Sequence, residues 1–141
     1  MVKMDKETLD VICCKDAVQI KATLELYEYD EEVEIKLYLT DTEYVSGADN
    51  FFDALVDIRK KLESHNIKLL CAGCLLNVYP SAMILNMGSG RKAYCLHFGK
   101  QASMDDIVDI FSSCDEKDVA TVDEQKAYFA KWIDSLGKGK E

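Results

Sequence analysis

The sequence predicts an α+β fold, in which an antiparallel or mixed sheet of about four to five strands is packed by three helices. Two stretches near the N-terminus alternate apolar and polar residues, and three later stretches repeat apolar residues at helical spacing. The predicted order is strand, strand, helix, strand, strand, helix, helix, with a possible further strand over residues 9–14. With 141 residues and 48% apolar content, we expect one soluble globular domain over residues 1–141.

The first two strands are predicted over residues 18–26 and 32–39. Every second residue is apolar in both stretches, the pattern of a strand with one buried and one exposed face. The link over residues 28–31 is short enough for a hairpin, so we expect antiparallel pairing.

The first helix is predicted over residues 51–62, where apolar residues recur every three or four positions. Ser46 followed by Asp49 resembles a capping box at its start. The next short apolar run, residues 67–72, is predicted to be a central strand.

The C-terminal part is predicted to contain a strand and two helices. Residues 93–98 form the strand, and residues 103–111 form a short helix that begins at a serine. The last helix begins with the capping box Thr121-Val122-Asp123-Glu124 and is expected to close at Gly137. Residues 137–141 are then a frayed tail.

The net charge of −9 is unevenly distributed along the chain. Residues 25–34 contain six acidic residues and no basic one, whereas residues 64–104 contain no acidic residue and carry +4, leaving −13 on the rest. Nucleic acid is excluded as a direct partner, because binding phosphates requires a concentrated basic face. An acidic surface suits a basic protein partner, although the same charge also serves solubility.

The sequence also predicts where the protein resides. No apolar run approaches the ~18 residues that cross a bilayer, and the N-terminus lacks the apolar segment of a signal peptide. We therefore expect a cytoplasmic protein with no membrane partner. Its cysteines are expected to be reduced and buried: Cys13, Cys14, Cys71, Cys74, Cys95 and Cys114.

The segment over residues 77–94 holds the only proline and a glycine-rich turn followed by two basic residues. A phosphate-binding loop would open a helix, but a strand is predicted to follow here. We therefore expect a structural turn in which Arg91 and Lys92 pair with carboxylates of the protein itself. The residues assigned to this structural loop are Tyr79, Pro80, Gly88, Gly90, Arg91 and Lys92.

Cys71-Ala72-Gly73-Cys74 permits three interpretations. A Cys-x-x-Cys after a strand can begin a thioredoxin-like redox site, and with Cys95 and His97 it could supply four zinc ligands. No helix start follows the pair, and the second ligand pair has an unusual spacing. We therefore prefer two cysteines on a buried strand and predict no metal and no cofactor.

The sequence offers no strong arrangement for catalysis. His65 lies at a predicted helix end, His97 has no acidic residue nearby in sequence, and the acids of residues 25–34 are expected to be solvated. We predict no catalytic residue and therefore not an enzyme.

Four stretches within residues 49–136 resemble a known family: "ADNFFDALVDIRKKLE", "VYPSAMILNMGSGRKAY", "DDIVDIFSSC" and "VDEQKAYFAKWIDSL". They are similar to bacterial immunity proteins of contact-dependent growth inhibition and polymorphic toxin systems. The similarity covers about two thirds of the chain without its N-terminal hairpin, and Ser89 replaces a glycine of the family pattern. The resemblance implies a single-domain protein without catalytic activity that binds and neutralises a cognate toxin domain, often a nuclease.

The resemblance identifies no toxin-contacting residue, so the binding site is predicted from physical properties. Acidic residues speed the encounter with a basic partner, and buried aromatic residues lengthen the life of the complex. The predicted partner-binding residues are Glu25, Tyr27, Glu28, Tyr29, Asp30, Glu31, Glu32 and Glu34. The alternative is a small enzyme or ligand-binding protein with an anion pocket formed by Tyr79, Arg91, Lys92 and His97.

Overall fold

The computed structural model describes residues 3–86 and 88–138, which form two antiparallel sheets and three α-helices. The predicted α+β class is therefore confirmed. The strands are β1 (Lys3–Lys15), β2 (Val18–Tyr29), β3 (Val33–Tyr38), β4 (Glu43–Ala48), β5 (Ile67–Leu69), β6 (Val78–Tyr79), β7 (Lys92–Cys95) and β8 (Ile107–Asp109). The helices are α1 (Phe51–Glu63), α2 (Ala82–Leu85) and α3 (Val122–Lys138).

The larger sheet has the strand order β4-β3-β2-β1-β5, and all its neighbours are antiparallel. The predicted hairpin is confirmed by the β2–β3 pairing, and residues 9–14 belong to β1. One face of this sheet is apolar and buries Leu24, Ile35 and Leu37 against α1. This burial is the main hydrophobic contribution to the fold.

The smaller sheet has the order β6-β7-β8 and packs against α3. A second apolar cluster centres here on Ile84, Tyr94, Leu96 and Trp132. Tyr79 links the two clusters, because its ring lies 5.1 Å from that of Phe52 and 4.1 Å from that of Phe129. Within the described part of the chain, no helix is long and apolar enough to cross a membrane.

The helix starts differ in how well they were predicted. The capping box of α3 is confirmed, because the Glu124 carboxylate accepts from the Thr121 amide at 2.8 Å and the Thr121 hydroxyl accepts from the Glu124 amide at 3.1 Å. The predicted cap of α1 is wrong: Asn50 accepts from the Asp53 amide at 2.9 Å. Ser46 is instead buried in β4, opposite Ile35.

Three strand and helix predictions require correction. The strand predicted over residues 67–72 ends at Leu69 and lies at the sheet edge rather than its centre. Residues 103–111 form a short 3-10 turn and then β8, because Ile107 pairs with Tyr94 of β7. Cys71 and Cys74 flank and end a 3-10 turn rather than occupying a strand.

The predicted C-terminal boundary also moves. Gly137 lies within α3 and does not close it, since the helix extends to Lys138. The remainder of the predicted tail, residues 139–141, lies outside the described residues, as does Met87 in the glycine-rich segment.

Candidate protein-binding surface

The candidate surface is the polar side of the larger sheet. Strand alternation places these side chains on the face opposite α1, which packs on the apolar side. Three strands contribute to it, β1, β2 and β3. We call this group the outer sheet face: Lys6, Glu25, Tyr27, Tyr29, Glu34, Lys36 and Tyr38.

Glu25 is the centre of a hydrogen-bond network on this face. The Tyr27 hydroxyl donates to Glu25 Oε1 at 2.6 Å, and the Tyr38 hydroxyl donates to the same oxygen at 3.0 Å. Lys6 Nζ lies 3.4 Å from the other carboxylate oxygen. The network holds both tyrosine side chains in place. Hydrogen bonds to an ionised carboxylate are stronger than hydrogen bonds between two neutral groups.

The ring of Tyr27 is also flanked by two cations. Lys6 Nζ lies 5.6 Å from the ring centroid and Lys36 Nζ lies 5.3 Å from it. Both distances fall within the range of cation–π attraction. Tyr27 is therefore held by contacts from its own strand and from both neighbouring strands, while its side chain remains half-buried.

The network shifts the pKa values of its members. The hydrogen bond from Tyr27 is the main cause that lowers the pKa of the Glu25 carboxyl, and those from Tyr38 and Lys6 add to it. The same contacts with Glu25 raise the pKa of Tyr27 and of Tyr38 to about 12. At neutral pH, Glu25 is thus an ionised acceptor and both phenols are donors.

The link between β2 and β3 carries three further carboxylates, Asp30, Glu31 and Glu32, which we call the acidic turn. All three residues are exposed, and the turn is closed by the Tyr29 amide donating to the Glu32 carbonyl at 2.9 Å. Across residues 3–86 and 88–138, no ion pair or side-chain hydrogen bond engages these three carboxylates. Their charge is therefore directed to solvent.

The predicted partner-binding residues consequently separate into three groups. Glu25, Tyr27, Tyr29 and Glu34 lie on the outer sheet face, beside the acidic turn. Glu28 points to the opposite side and accepts a hydrogen bond from the Ser89 hydroxyl at 2.7 Å. The Glu28 carboxylate is therefore engaged in a contact within the protein.

The glycine-rich segment joins the two sheets. Besides the Ser89–Glu28 bond, Arg91 pairs with Glu7 of β1 at 2.8 Å and with Asp109 of β8 at 3.2 Å. Its guanidinium carbon also lies 5.2 Å from the ring of Phe111. Arg91 therefore pairs with the protein's own carboxylates, as the sequence predicts.

The alternative anion pocket gains no support from these positions. Tyr79 is packed between two aromatic rings and Arg91 is neutralised by two carboxylates. His97 lines a cavity of about 560 Å³ with Asn77 and Tyr128, and none of the other three predicted residues lines that cavity. Lys92 is exposed on β7 and, within the described part of the chain, pairs with no carboxylate, so the predicted pairing is wrong for this residue. Pro80 is buried just before the serine that caps α2.

The four residues considered as zinc ligands, Cys71, Cys74, Cys95 and His97, are not brought together as a metal site either. Among the described residues, no three Cys, His, Asp or Glu side chains are grouped so that they could hold a metal ion. Cys71 and Cys74 are buried. His97 is exposed, and its Nε2 lies 3.9 Å from Oδ2 of Asp106.

Sequence reasoning missed three members of the outer sheet face. Lys36 and Tyr38 follow Glu34 at two-residue spacing, so strand alternation already predicts them on the same polar side, but neither is among the predicted partner-binding residues. Lys6 could not be found in this way, because its place beside Tyr27 depends on the β1–β2 register.

Compared with models of protein families and with curated proteins, the sequence gives no significant match.

Proposed function

We propose that this protein binds and neutralises a toxin domain that carries a basic surface, acting as an immunity protein in the cytoplasm. The observation behind this proposal is the outer sheet face, where Tyr27 is held by Glu25, Lys6 and Lys36 immediately beside the acidic turn. The resemblance of residues 49–136 to immunity proteins supports the same function.

The two parts of the surface suit two steps of binding. Tyrosines held in place lose little conformational entropy on binding, and such residues are typical interface hot spots. The acidic turn supplies charge that attracts a basic partner before contact. A sheet face with this composition can cover an active site or an essential surface without performing chemistry itself.

Co-expression with the toxin domain encoded beside the gene tests the proposal. We expect protection of the producing cells and a stable purified complex, and we expect Tyr27→Ala to weaken that complex at least about tenfold. Phe98→Ala is the matched control, because Phe98 is an exposed aromatic residue on the α3 side. Absence of both protection and complex would overturn the function, whereas equal effects of the two variants would overturn the site.

A further inference from the structure

The Cys71–Cys74 pair has a geometry that the proposed function does not use. The Cys74 amide donates to the Cys71 carbonyl at 2.9 Å, which closes a 3-10 turn. This turn places both thiols on one side, with their sulfurs 3.6 Å apart. Residues three positions apart in a tight turn lie within the separation that a disulfide spans.

Arg59 provides a positive charge next to this turn. Its side chain is buried, at 3% exposure, and it donates to Gln125 Oε1 at 2.6 Å and to the carbonyls of Ala120 and Gly73 at 2.9 and 3.4 Å. All of these acceptors are neutral, and among the described residues no carboxylate forms an ion pair with it. A buried cation without an anion is costly, so an anion at Cys74 would be stabilised.

The six thiols differ in their tendency to ionise. The hydrogen bond from the Cys71 thiol and then the Arg59 charge lower the pKa of Cys74. Donating that hydrogen bond to Cys74, together with burial, raises the pKa of Cys71 well above its usual value. Burial raises the pKa of Cys13 and of Cys114 to about 12 and also raises that of Cys95. A hydrogen bond with Glu116 raises the pKa of the sixth, Cys14.

A route for a small molecule leads to the same turn. Cys74, Arg59 and Lys68 line a cavity of about 520 Å³ between α1, β5 and the segment before α3. Cys71 and Cys74 themselves are fully buried. The reagent must therefore be small, and reaction requires a slight opening at the cavity wall.

We propose that Cys71 and Cys74 are a dithiol that hydrogen peroxide oxidises to a disulfide. The Cys74 thiolate attacks one peroxide oxygen, the O–O bond breaks, and the departing hydroxide takes up a proton to become water. The Cys71 sulfur then attacks the resulting Cys74 sulfenic acid, the S–O bond breaks, and the Cys71 proton leaves with the hydroxyl as a second water. Two thiols are oxidised and one peroxide is reduced to two waters; a thiol reductant reverses the change.

Peptide mapping of the peroxide-treated full-length protein tests this proposal. Cleavage after Lys68 and Arg91 leaves both cysteines in one tryptic peptide, residues 69–91, that contains no other cysteine. After peroxide treatment and alkylation under denaturing conditions, we expect this peptide to be lighter than the reduced form by two hydrogens and unalkylated until dithiothreitol is added. Two alkylated cysteines in this peptide, or a link from Cys74 to another peptide, would overturn the proposal.

Two variants provide additional tests of the proposed reaction. Cys71→Ser should stop the reaction at a Cys74 sulfenic acid, which dimedone traps, because the second thiol is missing. Cys95→Ser is the control and should form the same disulfide within residues 69–91 as the wild type. A dimedone adduct on Cys95 rather than on Cys74 in the Cys71→Ser protein would contradict the assignment.

Discussion

Gly90 occupies a position that no other residue can take without moving its neighbours. Its φ of +81° lies in the left-handed region, and a Cβ there would lie 2.9 Å from the Asn50 Cβ and 3.0 Å from the Phe51 nitrogen. Asn50 cannot easily retreat, because its side chain caps α1. Because Gly90 has no side chain, the loop that joins the two sheets can lie close to Asn50 and Phe51 at the start of α1.

We expect Gly90→Ala to lower the free energy of unfolding by roughly 2 to 4 kcal/mol, since backbone strain and overpacking add together. Gly88→Ala is the matched control: its φ is +76°, but nothing lies within 4 Å of the added Cβ. That variant should cost about 1 kcal/mol from strain alone. Urea denaturation of both variants measures the difference, and equal losses would show that the contact with Asn50 is unimportant.

Glu25 makes a pH-dependent contribution to stability. Because its pKa is lowered in the folded protein, the stabilisation is present above the unfolded-state pKa of about 4.3 and is lost as the pH falls through the lower folded-state value. We expect Glu25→Gln to be less stable than the wild type at pH 7, and the gap between them to narrow at pH 3.

Urea midpoints at both pH values measure this gap. Glu31→Gln is the control, because Glu31 lies in the acidic turn and makes no ion pair among the described residues. It should change stability little at either pH. A Glu25→Gln deficit of the same size at pH 3 and pH 7 would contradict the proposed network.

Residue patterns predicted the outer sheet face only in part. Alternation correctly puts Glu25, Tyr27 and Glu34 on the polar side of a hairpin. It cannot show that Glu25 is engaged by Tyr38 and Lys6, because those contacts depend on the strand register and on side-chain reach. Likewise, Glu28 appears in sequence as one more acid of the hairpin, although it is bonded to Ser89.

Among the elements, α3 is connected to the rest of the molecule by the hydrogen bonds of a buried polar side chain, that of Gln125. Gln125 Nε2 donates to the carbonyls of Gly73, Leu75 and Val78 at 2.8 to 2.9 Å. Its Oε1 accepts from Arg59 of α1. The residue is 1% exposed, so water cannot readily replace any of these partners.

Gln125→Ala should therefore lower the free energy of unfolding by about 3 kcal/mol, because it leaves a buried guanidinium group and several buried carbonyls with fewer partners. The neighbouring exposed residue Lys126 provides the control, and Lys126→Ala should stay within about 0.5 kcal/mol of the wild type. Chemical denaturation followed by circular dichroism distinguishes the two. A loss below about 1 kcal/mol for Gln125→Ala would indicate that the groups find new partners.

The elements that were mispredicted share a physical cause. β4 has few strongly apolar residues on its inward side, with Ser46 at its centre, so its sequence carries little alternation. β8 is only three residues long and follows a 3-10 turn, so the apolar residues near it also fit helical spacing. In both cases pairing with a neighbouring strand overrides weak local preference. The strands β2 and β3 and the helices α1 and α3 were predicted because their apolar residues recur regularly along each element.

Over the whole molecule, acidic residues are unevenly distributed. The acid-free residues 64–104 contain β6 and β7 of the smaller sheet and the edge strand β5 of the larger one, whereas the acidic turn joins two other strands of the larger sheet. Arg91 and Ser89 hold the two parts together through carboxylates of β1, β2 and β8. The acidic turn is left as a cluster of negative charge beside the tyrosines of the outer sheet face.

With a toxin domain as the proposed partner, this arrangement predicts that charge controls the association rate and aromatic contacts control the dissociation rate. Replacing all three acids of the acidic turn with serine should slow association by about tenfold at low salt and flatten its salt dependence, because long-range attraction governs encounter. Tyr27→Ala should instead speed dissociation with little effect on association. Both rates can be followed by stopped-flow or biosensor measurements over a range of salt concentrations.

A control with the same change in net charge, from −9 to −6, replaces three exposed acids elsewhere with serine: Asp105, Asp115 and Asp118. If this control slowed association as much as the acidic-turn variant, net charge rather than the acidic turn would govern the encounter.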